Sequence, residues 1–524
     1  MKGCRSIRIR EFDIRIIIVY FKPNSLGMNW INDTHFCNDL ETIPVPHIGT
    51  ILVTGATGYI GGRLVPELIY RGYHVRVLVR KLSPEQKKQW PGAEIVEADA
   101  LDLNRLIPAL EGIHTAYYLI HSMLMGPKQF EQAESLAAKN FRLASEISGV
   151  KRIIYLGGLG DITTRLSTHL RSRMRVADEL MKGTRVPVTI LRAAVIIGSG
   201  SASFEIIDNL VRKMSVIILP VSAKSKCQPI SIRDVIKYLV GVLEVNETAG
   251  KSFDIGGDKV YDYREMLTVY SKMLNRRILF ISSPFGGINL FSYLTSLLTS
   301  VPAPIVFCLM KSLKHDVVVQ NDTIKNYLKF PNVDYKVALL RAINREEQDK
   351  LSTRWSDAYP PAHVLAIKLV EVDQTRLYTN RYSILTQKKS SRLFEAICTI
   401  GGKKGWFNSN FLWKARGFID KLLMGVGTGR GRKTKNTLQI NDVIDFWRVE
   451  KLDQDQLLLL RAEMKLPGKA WLEFKIDQVS KDNLLTINAY FLPKGFLGHI
   501  YWYLFLPFHY YIFYDIIKNL AKDQ

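Results

Sequence analysis

The sequence predicts an α/β fold in which a doubly wound parallel sheet with a small substrate lobe is followed by an α+β domain. Three observations lead to this prediction. A glycine-rich turn joins a short apolar strand to a helix within residues 51–69, strands and helices then alternate, and beyond residue 362 consecutive strand-like runs replace that alternation. The chain has 524 residues, which is more than a single core usually organises.

The alternating region begins near residue 49. Apolar runs of strand length lie near 50–54, 74–80, 94–98, 115–121, 152–157 and 188–197. Amphipathic patterns between them predict helices near 60–71, 103–110, 129–148, 166–182 and 204–214. This order predicts parallel pairing through helical crossovers, and such sheets bind their ligands outside the carboxyl ends of the strands.

A smaller lobe is predicted from about residue 227 to residue 330. Residues 278–310 contain no charged side chain, but Pro284, Gly287 and Pro302 help to divide this run into pieces too short to span a bilayer. We therefore expect apolar helices that line a substrate cavity or an interface.

The second domain is predicted to contain a curled antiparallel sheet and a long C-terminal helix. Strand-like runs lie at 363–372, 443–452, 457–464, 470–477 and 484–492, with helices near 391–400, 407–424 and 496–520. The expected organisation is an N-terminal extension at 1–48, a nucleotide-binding domain at 49–330, a helical linker at 331–352 and a C-terminal domain at 353–524.

Charge and cysteine content bear on partners and location. The formal net charge of +23 favours acidic partners, but no zinc-finger, basic-zipper or RNA-binding pattern is present, so we predict no nucleic acid partner. The five scattered cysteines predict neither disulfides nor a metal site, and indicate a reducing, cytoplasmic compartment.

Residues 495–514 carry no charge. We expect a packed helix there in preference to a membrane span, and peripheral membrane contact through its aromatic residues stays open.

The glycine turn is the first candidate site. Glycines at 55, 58 and 61 let the backbone approach a pyrophosphate, whose charge would rest at the N-terminus of the following helix. We expect a dinucleotide cofactor to contact seven residues of the turn: Thr54, Gly55, Thr57, Gly58, Tyr59, Ile60 and Gly61.

The end of the second strand bears on which cofactor binds. An NAD(H) site has an acidic residue there, but no Asp or Glu occurs from residue 68 to residue 84. Arg80 and Lys81 end the strand instead, and a guanidinium matches the geometry of a 2'-phosphate. NADP(H) is therefore favoured over NAD(H).

The adenine is expected after the third strand, beside Asp99 and Ala100. A carboxylate at Asp99 could accept a hydrogen bond from the adenine amino group, while the nearby Asp102 could cap the next helix. The two roles are compatible.

Together, these features resemble the extended and atypical short-chain dehydrogenases/reductases, including NmrA-like proteins, which have a Rossmann fold, over about residues 50–330. The resemblance implies hydride transfer, for which that family usually has Tyr-x-x-x-Lys on the helix after the fifth strand. No tyrosine occurs from Leu156 to Ile190. His169 and Arg173, four residues apart on one helix face, are our candidates for the positions of that pair, with His121 as another proton donor. Equally, these could be surface residues of a fold that binds the cofactor without using it.

The C-terminal region carries a second resemblance. The segments Gly401–Trp406, Asp445–Val449 and Met464–Phe474 resemble an uncharacterised domain fused behind such nucleotide domains in bacterial proteins, which looks like the helix-grip, lipid-transfer type. This resemblance implies a compartment for a hydrophobic ligand, and it supplies no catalytic residue.

Three hypotheses follow for function. The first is an NADP(H)-dependent oxidoreductase acting on a hydrophobic carbonyl- or quinone-like substrate. The second is a non-catalytic NADP(H)-binding redox sensor or regulator, as the resemblance to nitrogen-repression regulators implies. The third is a membrane-peripheral factor that binds lipid or assists assembly.

Overall fold

The computed structural model describes residues 35–522 except for 81, 83, 122–126, 161–167, 284–286, 300, 348–368, 403, 428–437, 439 and 441. Most of the predicted N-terminal extension therefore lies outside the described residues. The described residues 35–48 lie against the first half of the chain, where Phe36 and Cys37 are buried and both donate backbone hydrogen bonds to the carboxylate of Glu67.

The strands up to residue 283 are β1 (Thr50–Val53), β2 (Val75–Val79), β3 (Glu94–Glu97), β4 (Ile113–Tyr118), β5 (Arg152–Gly158), β6 (Val188–Ala193), β7 (Ile196–Ile197), β8 (Val216–Pro220), β9 (Lys226–Cys227), β10 (Ile230–Ser231), β11 (Ser252–Ile255), β12 (Tyr261–Asp262) and β13 (Leu279–Ser283). The helices of this part are α1 (Gly61–Tyr70), α2 (Pro84–Gln89), α3 (Leu103–Leu110), α4 (Pro127–Ile147), α5 (Thr168–Met181), α6 (Ala202–Lys213), α7 (Ile232–Glu244), α8 (Tyr263–Met273), α9 (Ile288–Leu298), α10 (Ala303–Ser312) and α11 (Tyr335–Glu347).

Seven of these strands form one parallel sheet in the order β11-β6-β5-β4-β1-β2-β3. The connections run outward in both directions from the centre, which is the predicted doubly wound arrangement. Helices α1 and α7 pack on one face of the sheet, and α3, α4 and α5 pack on the other. Because both faces are covered, the central strands are almost entirely apolar, as in β1, where Ile51, Leu52 and Val53 are fully buried. The predicted fold class is confirmed.

The lobe lies beyond the carboxyl ends of β5 and β6. Short strands pair within it, including β8 with β13 in parallel, and helices α6, α8 and α11 enclose a core that contains Phe204, Tyr270 and Leu339. Helices α9 and α10 pack against each other and against α6. Helix α9 lies within the uncharged run at 278–310, and α10 extends two residues beyond it to include Lys311.

The C-terminal part consists of β14 (Tyr378–Thr386), α12 (Ser390–Cys398), α13 (Asn410–Leu422), β15 (Val443–Ile444), β16 (Trp447–Asp453), β17 (Leu457–Ala462), β18 (Gly468–Val479), β19 (Asp482–Pro493) and α14 (Gly495–Ala521). The strands form an antiparallel sheet in the order β14-β19-β18-β17-β16-β15. Helix α14 crosses β14 and β19, and its second half buries Ile516, Ile517 and Leu520 against the core of this sheet.

Three predicted strands differ from the structure, and one observed strand of the C-terminal sheet was not predicted. The strand predicted at 443–452 is two antiparallel strands, β15 and β16, joined by a tight turn in which Asp445 has φ +56°. The strand predicted at 188–197 is broken after Ala193, because Ile196 pairs with Ile230 in a separate small sheet. The strand predicted at 363–372 is wrong where it is described, since Leu369–Glu371 forms a 3-10 helix and 363–368 lie outside the described residues. The edge strand β14 was not predicted. Its nine side chains alternate between half-buried and exposed, so its sequence has no run of buried apolar residues that would indicate a strand.

Candidate functional site

The glycine turn between β1 and α1 has backbone geometry that only glycine permits at two positions. Gly55 has φ +62°, and a Cβ there would lie 2.5 Å from the carbonyl oxygen of Leu119. A Cβ on Gly61 would lie 2.5 Å from the carbonyl oxygen of Gly55. The first contact keeps the turn close to the end of β4, and the second lets α1 begin directly against the turn.

The start of α1 can accept an anion. Its N-cap, Ile60, supplies no side-chain hydrogen bond, and its first turn contains no acidic residue. Thr57 is exposed, and Gly58, Tyr59 and Ile60 are half-buried. Backbone N–H groups at such a helix end, together with the helix dipole, are the usual binding site of a pyrophosphate. The glycines at 55 and 61 let the turn pack closely against β4 and α1, and the accessible backbone of residues 57–60 at the start of α1 therefore fits a dinucleotide.

Thr54 holds the turn in position from within. Its hydroxyl donates to the carbonyl oxygen of Tyr117 at 2.9 Å and accepts from the backbone N–H of Leu119 at 3.0 Å. The residue is fully buried. Its side chain therefore joins β1 to the end of β4, which is a different task from the predicted cofactor contact.

Tyr59 and Arg63 connect the turn to the lobe. The Arg63 guanidinium lies 4.1 Å from the centre of the Tyr59 ring, and it donates to the carbonyl oxygens of Tyr59 and Ser199, each at 2.9 Å. Arg63 is buried. The loop after β7 is thereby fixed next to the first turn of α1.

The predicted selectivity residues end β2 and β3. Arg80 is exposed at the end of β2. Although the residue as a whole is exposed, protein atoms around the guanidinium partly desolvate it and lower its pKa, and the nearby carboxylate of Asp99 opposes that change. An arginine stays cationic at neutral pH under such a shift. Lys81 lies outside the described residues.

Asp99 and Ala100 form a tight turn after β3. One oxygen of Asp99 accepts from the N–H of Leu101 at 3.0 Å, and the carbonyl oxygen of Ala100 accepts from the amide of Asn140 at 3.2 Å. Asp102 caps α3 by accepting from the N–H groups of Asn104 and Arg105, as proposed for it.

A buried polar cluster lies near the carboxyl ends of β4 and β5. Nδ1 of His121 is 2.8 Å from Oε1 of Glu134, and the hydroxyl of Ser172 donates to Oε2 of the same carboxylate at 2.6 Å. Glu134 comes from α4 and Ser172 from α5, and both are buried. We call these three residues the polar cluster.

Charge is balanced within the polar cluster. Burial would raise the pKa of Glu134, but His121, Arg173 and the Ser172 hydrogen bond outweigh it and lower that pKa to about 2. Burial and the positive charge of Arg173 lower the pKa of His121, and Glu134 opposes them only in part. At neutral pH the carboxylate is therefore charged, whereas the imidazole is largely neutral and donates its Nδ1 proton to that carboxylate.

Arg173 is held against β5. It donates to the carbonyl oxygen of Leu156, its guanidinium lies 5.1 Å from the centre of the Tyr155 ring, and the Tyr155 hydroxyl donates to its backbone oxygen at 3.0 Å. His169 belongs to α5, but its side chain lies outside the described part of the structure. Whether His169 and Arg173 act as a pair stays a prediction.

Sequence reasoning missed Glu134 and Ser172. A signal for Glu134 existed, because it lies at helical spacing from Ala138, Phe141 and Ser145 on the face that α4 buries. A carboxylate within a buried helix face usually has a partner. Ser172 carries no comparable signal, since serine is common on any helix face.

A cavity of about 560 Å³ lies between the carboxyl ends of β5 and β6 and the lobe, and its described lining includes no residue of the polar cluster. Gly158 and Leu159 line it from β5 and Leu170 from α5, next to His169. Arg173 lies close to Gly158, because a Cβ added to Gly158 would be 3.7 Å from Cγ of Arg173. The lobe contributes mainly aliphatic and aromatic side chains, such as Ile206, Leu210, Met266, Phe291, Leu294 and Met310. Helices α9 and α10 thus line a cavity, as the uncharged run at 278–310 predicted.

Both parts of the chain match known protein families. Residues 48–326, more than half of the chain, match the NmrA-like family. Residues 374–516 match a family described as a protein of unknown function, DUF2867.

Curated relatives match the first part at low identity. NADH dehydrogenase [ubiquinone] 1 alpha subcomplex subunit 9, mitochondrial, of Arabidopsis thaliana is 25% identical over 297 residues, which cover 54% of this chain and 73% of that protein. Divinyl chlorophyllide a 8-vinyl-reductase, chloroplastic, of the same plant is 25% identical over 48% of this chain and 63% of its own length. Photosystem II assembly factor Ycf39 of Guillardia theta is 22% identical over 51% of this chain and 85% of its own.

Solved structures resemble the same region. A nucleoside-diphosphate-sugar epimerase from Staphylococcus aureus is 16% identical, with a TM-score of 0.46, and covers 55% of this chain and 99% of its own. That TM-score is too low to support a functional comparison. The glycine turn, the doubly wound parallel sheet and the match over residues 48–326 together show that the chain belongs to the NmrA-like family.

Proposed function

We propose that the protein is an NADP(H)-dependent oxidoreductase that acts on a hydrophobic carbonyl- or quinone-like substrate. The observation that carries this proposal is the apolar cavity of about 560 Å³, because it begins at the carboxyl ends of β5 and β6. In a doubly wound sheet those ends face the bound ligand. A lining with few polar groups suits a substrate that is mostly hydrocarbon.

The cofactor would lie along the glycine turn, with its pyrophosphate at the N-terminus of α1. NADP(H) would supply or accept a hydride when bound. Arg80, exposed and cationic at the end of β2, would hold the 2'-phosphate, and Asp99 would contact the adenine. NAD(H) is the less favoured cofactor, because residues 68–84 contain no acidic side chain for the ribose hydroxyls.

His121 is the proposed proton-transfer residue. Its Nδ1 lies against Glu134. In the oxidising direction the imidazole would accept the proton of an alcohol. In the reducing direction it would first take up a proton from solvent and then donate it to the carbonyl oxygen as the carbonyl carbon receives the hydride. Glu134 would be a positioning residue that holds the Nδ1–H tautomer, and Ser172 would hold Glu134. His169 is an alternative proton donor, and Arg173 remains our candidate contact for the nicotinamide ribose.

A non-catalytic role is the second candidate. Residues 156–190 contain no tyrosine that could act as the usual acid, and Arg173 donates to the backbone of β5. The similar proteins include an assembly factor and a subunit of NADH dehydrogenase as well as a reductase. A redox sensor, or a peripheral factor whose C-terminal domain of helix-grip type binds lipid, is therefore the alternative. The cytoplasmic location is also still a prediction.

NADPH oxidation with a panel of quinones, enones and aldehydes tests the proposal. We expect turnover of at least one compound, and a loss of about 100-fold in kcat in His121→Ala with the Kd for NADPH unchanged. Arg80→Ala should weaken NADPH binding about 10-fold or more and leave NADH binding nearly unchanged. NADPH binding without turnover of any compound would favour the sensor, and tighter binding of NADH than of NADPH would contradict the role of Arg80.

A further inference from the structure

Helix α13 has two apolar faces, of which only one is covered by the protein. Its inner face buries Trp413. Its outer face bears Phe411 and Phe418, which are 61% and 60% exposed, and Leu422 continues that face at helical spacing. The turn after α13 adds Leu423 and Met424, both exposed. Such a run of exposed apolar side chains is typical of an interaction surface.

Helix α9 of the lobe lies beside α13. The hydroxyl of Tyr293 donates to the carbonyl oxygen of Leu422 at 3.0 Å, and the ammonium of Lys421 donates to the carbonyl oxygen of Leu297 at 3.2 Å. Leu290 of α9 is itself exposed. The two helices therefore form one continuous surface across the lobe and the C-terminal domain.

Strands β8 and β13 extend this surface. Their parallel register sets Leu279 opposite Val216 and Ile281 opposite Ile218, and all four side chains are exposed. Strand β8 also contacts α9. We call the exposed apolar residues of α13, α9, β8 and β13 the apolar rim.

The apolar rim is also the mouth of the cavity. Val216, Ile218 and Leu294 line the cavity and are at the same time exposed. A molecule that covers the rim therefore has direct access to an apolar space of about 560 Å³.

Charges on the rim are positive. The elements α9, α13, β8 and β13 contain one acidic residue, Asp420, and it is fully buried. Lys414 is exposed on α13. Lys213 and Lys421 both donate to carbonyl oxygens at the end of α9, and the pKa of Lys421 is lowered to about 8 by burial and then by Lys213. An anion between these ammonium groups would relieve their repulsion.

Two of the possible occupants can be compared on these grounds. A second copy of the chain, packed face to face, would set lysine against lysine in a protein whose net charge is +23. An anionic lipid surface offers phosphates to the lysines and hydrocarbon to the phenylalanines and leucines. It can also deliver an apolar molecule into the mouth of the cavity.

We propose that the apolar rim binds the surface of anionic membranes, so that the cavity opens toward lipid. Among the described residues no helix is long and apolar enough to cross a bilayer. The proposed binding is interfacial, through a surface distinct from the aromatic C-terminal helix α14. Entry of substrate from the membrane rests on the proposed function, whereas binding to the membrane does not.

Vesicle co-sedimentation of the full chain, without cofactor or substrate, tests this proposal. We expect about tenfold more protein on vesicles of phosphatidylcholine mixed with phosphatidylglycerol than on vesicles of phosphatidylcholine alone. Binding should fall as salt is raised from about 0.1 M to about 1 M. Because no turnover is measured, failure here says nothing against the oxidoreductase, and success does not support it.

Substitutions on the rim locate the surface. Phe411→Glu with Phe418→Glu should lower binding about tenfold, and Ile43→Glu, at another exposed apolar residue, should leave binding unchanged. Should the double variant fail to give a cooperative thermal transition, Lys414→Glu is the substitute and should lower binding severalfold. Equal sedimentation of the rim variant and the wild type would overturn the proposal. So would a lipid-free dimer that the same substitution dissociates, because the rim would then bind a second copy.

Discussion

The glycine turn and the polar cluster are both proposed to serve the bound cofactor and substrate, but they are built in opposite ways. The turn consists of consecutive residues, and its shape depends on side chains that are absent, since a Cβ on Gly55 or Gly61 would lie 2.5 Å from a backbone oxygen. The polar cluster depends on side chains that are present, and its partners are 13 and 38 residues apart in the chain. The comparison predicts that the glycine turn is disrupted by an added Cβ, whereas the polar cluster is disrupted by the loss of a charge.

The largest expected effect is that of Gly61→Ala. The new methyl group would collide with the Gly55 carbonyl oxygen, so α1 must move away from the turn, and we expect a loss of about 3 kcal/mol in the free energy of unfolding. NADPH binding should be lost with it, because the N–H groups of α1 no longer meet the pyrophosphate. Chemical denaturation and fluorescence titration measure the two effects.

Gly287→Ala is the matched control. Gly287 precedes α9, and an added Cβ would have nothing within 4 Å. Because Gly287 is the N-cap of α9, where alanine is less favourable than glycine, the Gly287→Ala variant should lose less than about 1 kcal/mol of stability. Equal effects at Gly61 and Gly287 would mean that close packing does not define the turn.

The sequence predicted the glycine turn, but it did not predict which residues meet in the polar cluster. The turn, its strand and its helix were predicted because strand period, glycine spacing and helix start all lie within residues 51–69. Glu134 and Ser172 were not predicted as partners of His121, because only the packing of α4 against α5 brings them together. Thr54 was predicted in the right place, but its hydroxyl bonds to β4, a strand whose register the sequence does not specify.

The next largest effect is expected for Glu134→Gln. Removing the charge deprives His121 and Ser172 of a shared anionic acceptor, and stability at neutral pH should fall by about 2 kcal/mol. The pKa of Glu134 is lowered from 4.5 to about 2, so its contribution to wild-type stability is complete above pH 4.5 and is lost as pH falls toward 2. Denaturation as a function of pH should show that loss in the wild type and not in the variant.

Glu146→Gln on the same helix separates this effect from a general loss of acidic charge. Glu146 pairs with Arg142 at i,i+4, with a shortest distance of 3.4 Å, and stays partly solvated. We expect a change within about 0.5 kcal/mol and an unaltered pH dependence. A pH profile for Glu134→Gln that matches the wild type between pH 4.5 and 2 would show that the polar cluster does not hold Glu134 ionised.

The smallest expected effects concern two threonines of the glycine turn that are three residues apart in the chain. Thr54→Val removes the hydroxyl that joins β1 to β4, and should cost about 1 kcal/mol of stability while leaving the Kd for NADPH within about threefold of the wild type. Thr57 is exposed at the open side of the turn, so Thr57→Val should leave stability unchanged and weaken NADPH binding severalfold. The reverse pattern would mean that the buried hydroxyl serves the cofactor. The expected pattern would instead show that within one short motif the side chain of Thr54 supports the fold while that of Thr57 contacts the cofactor.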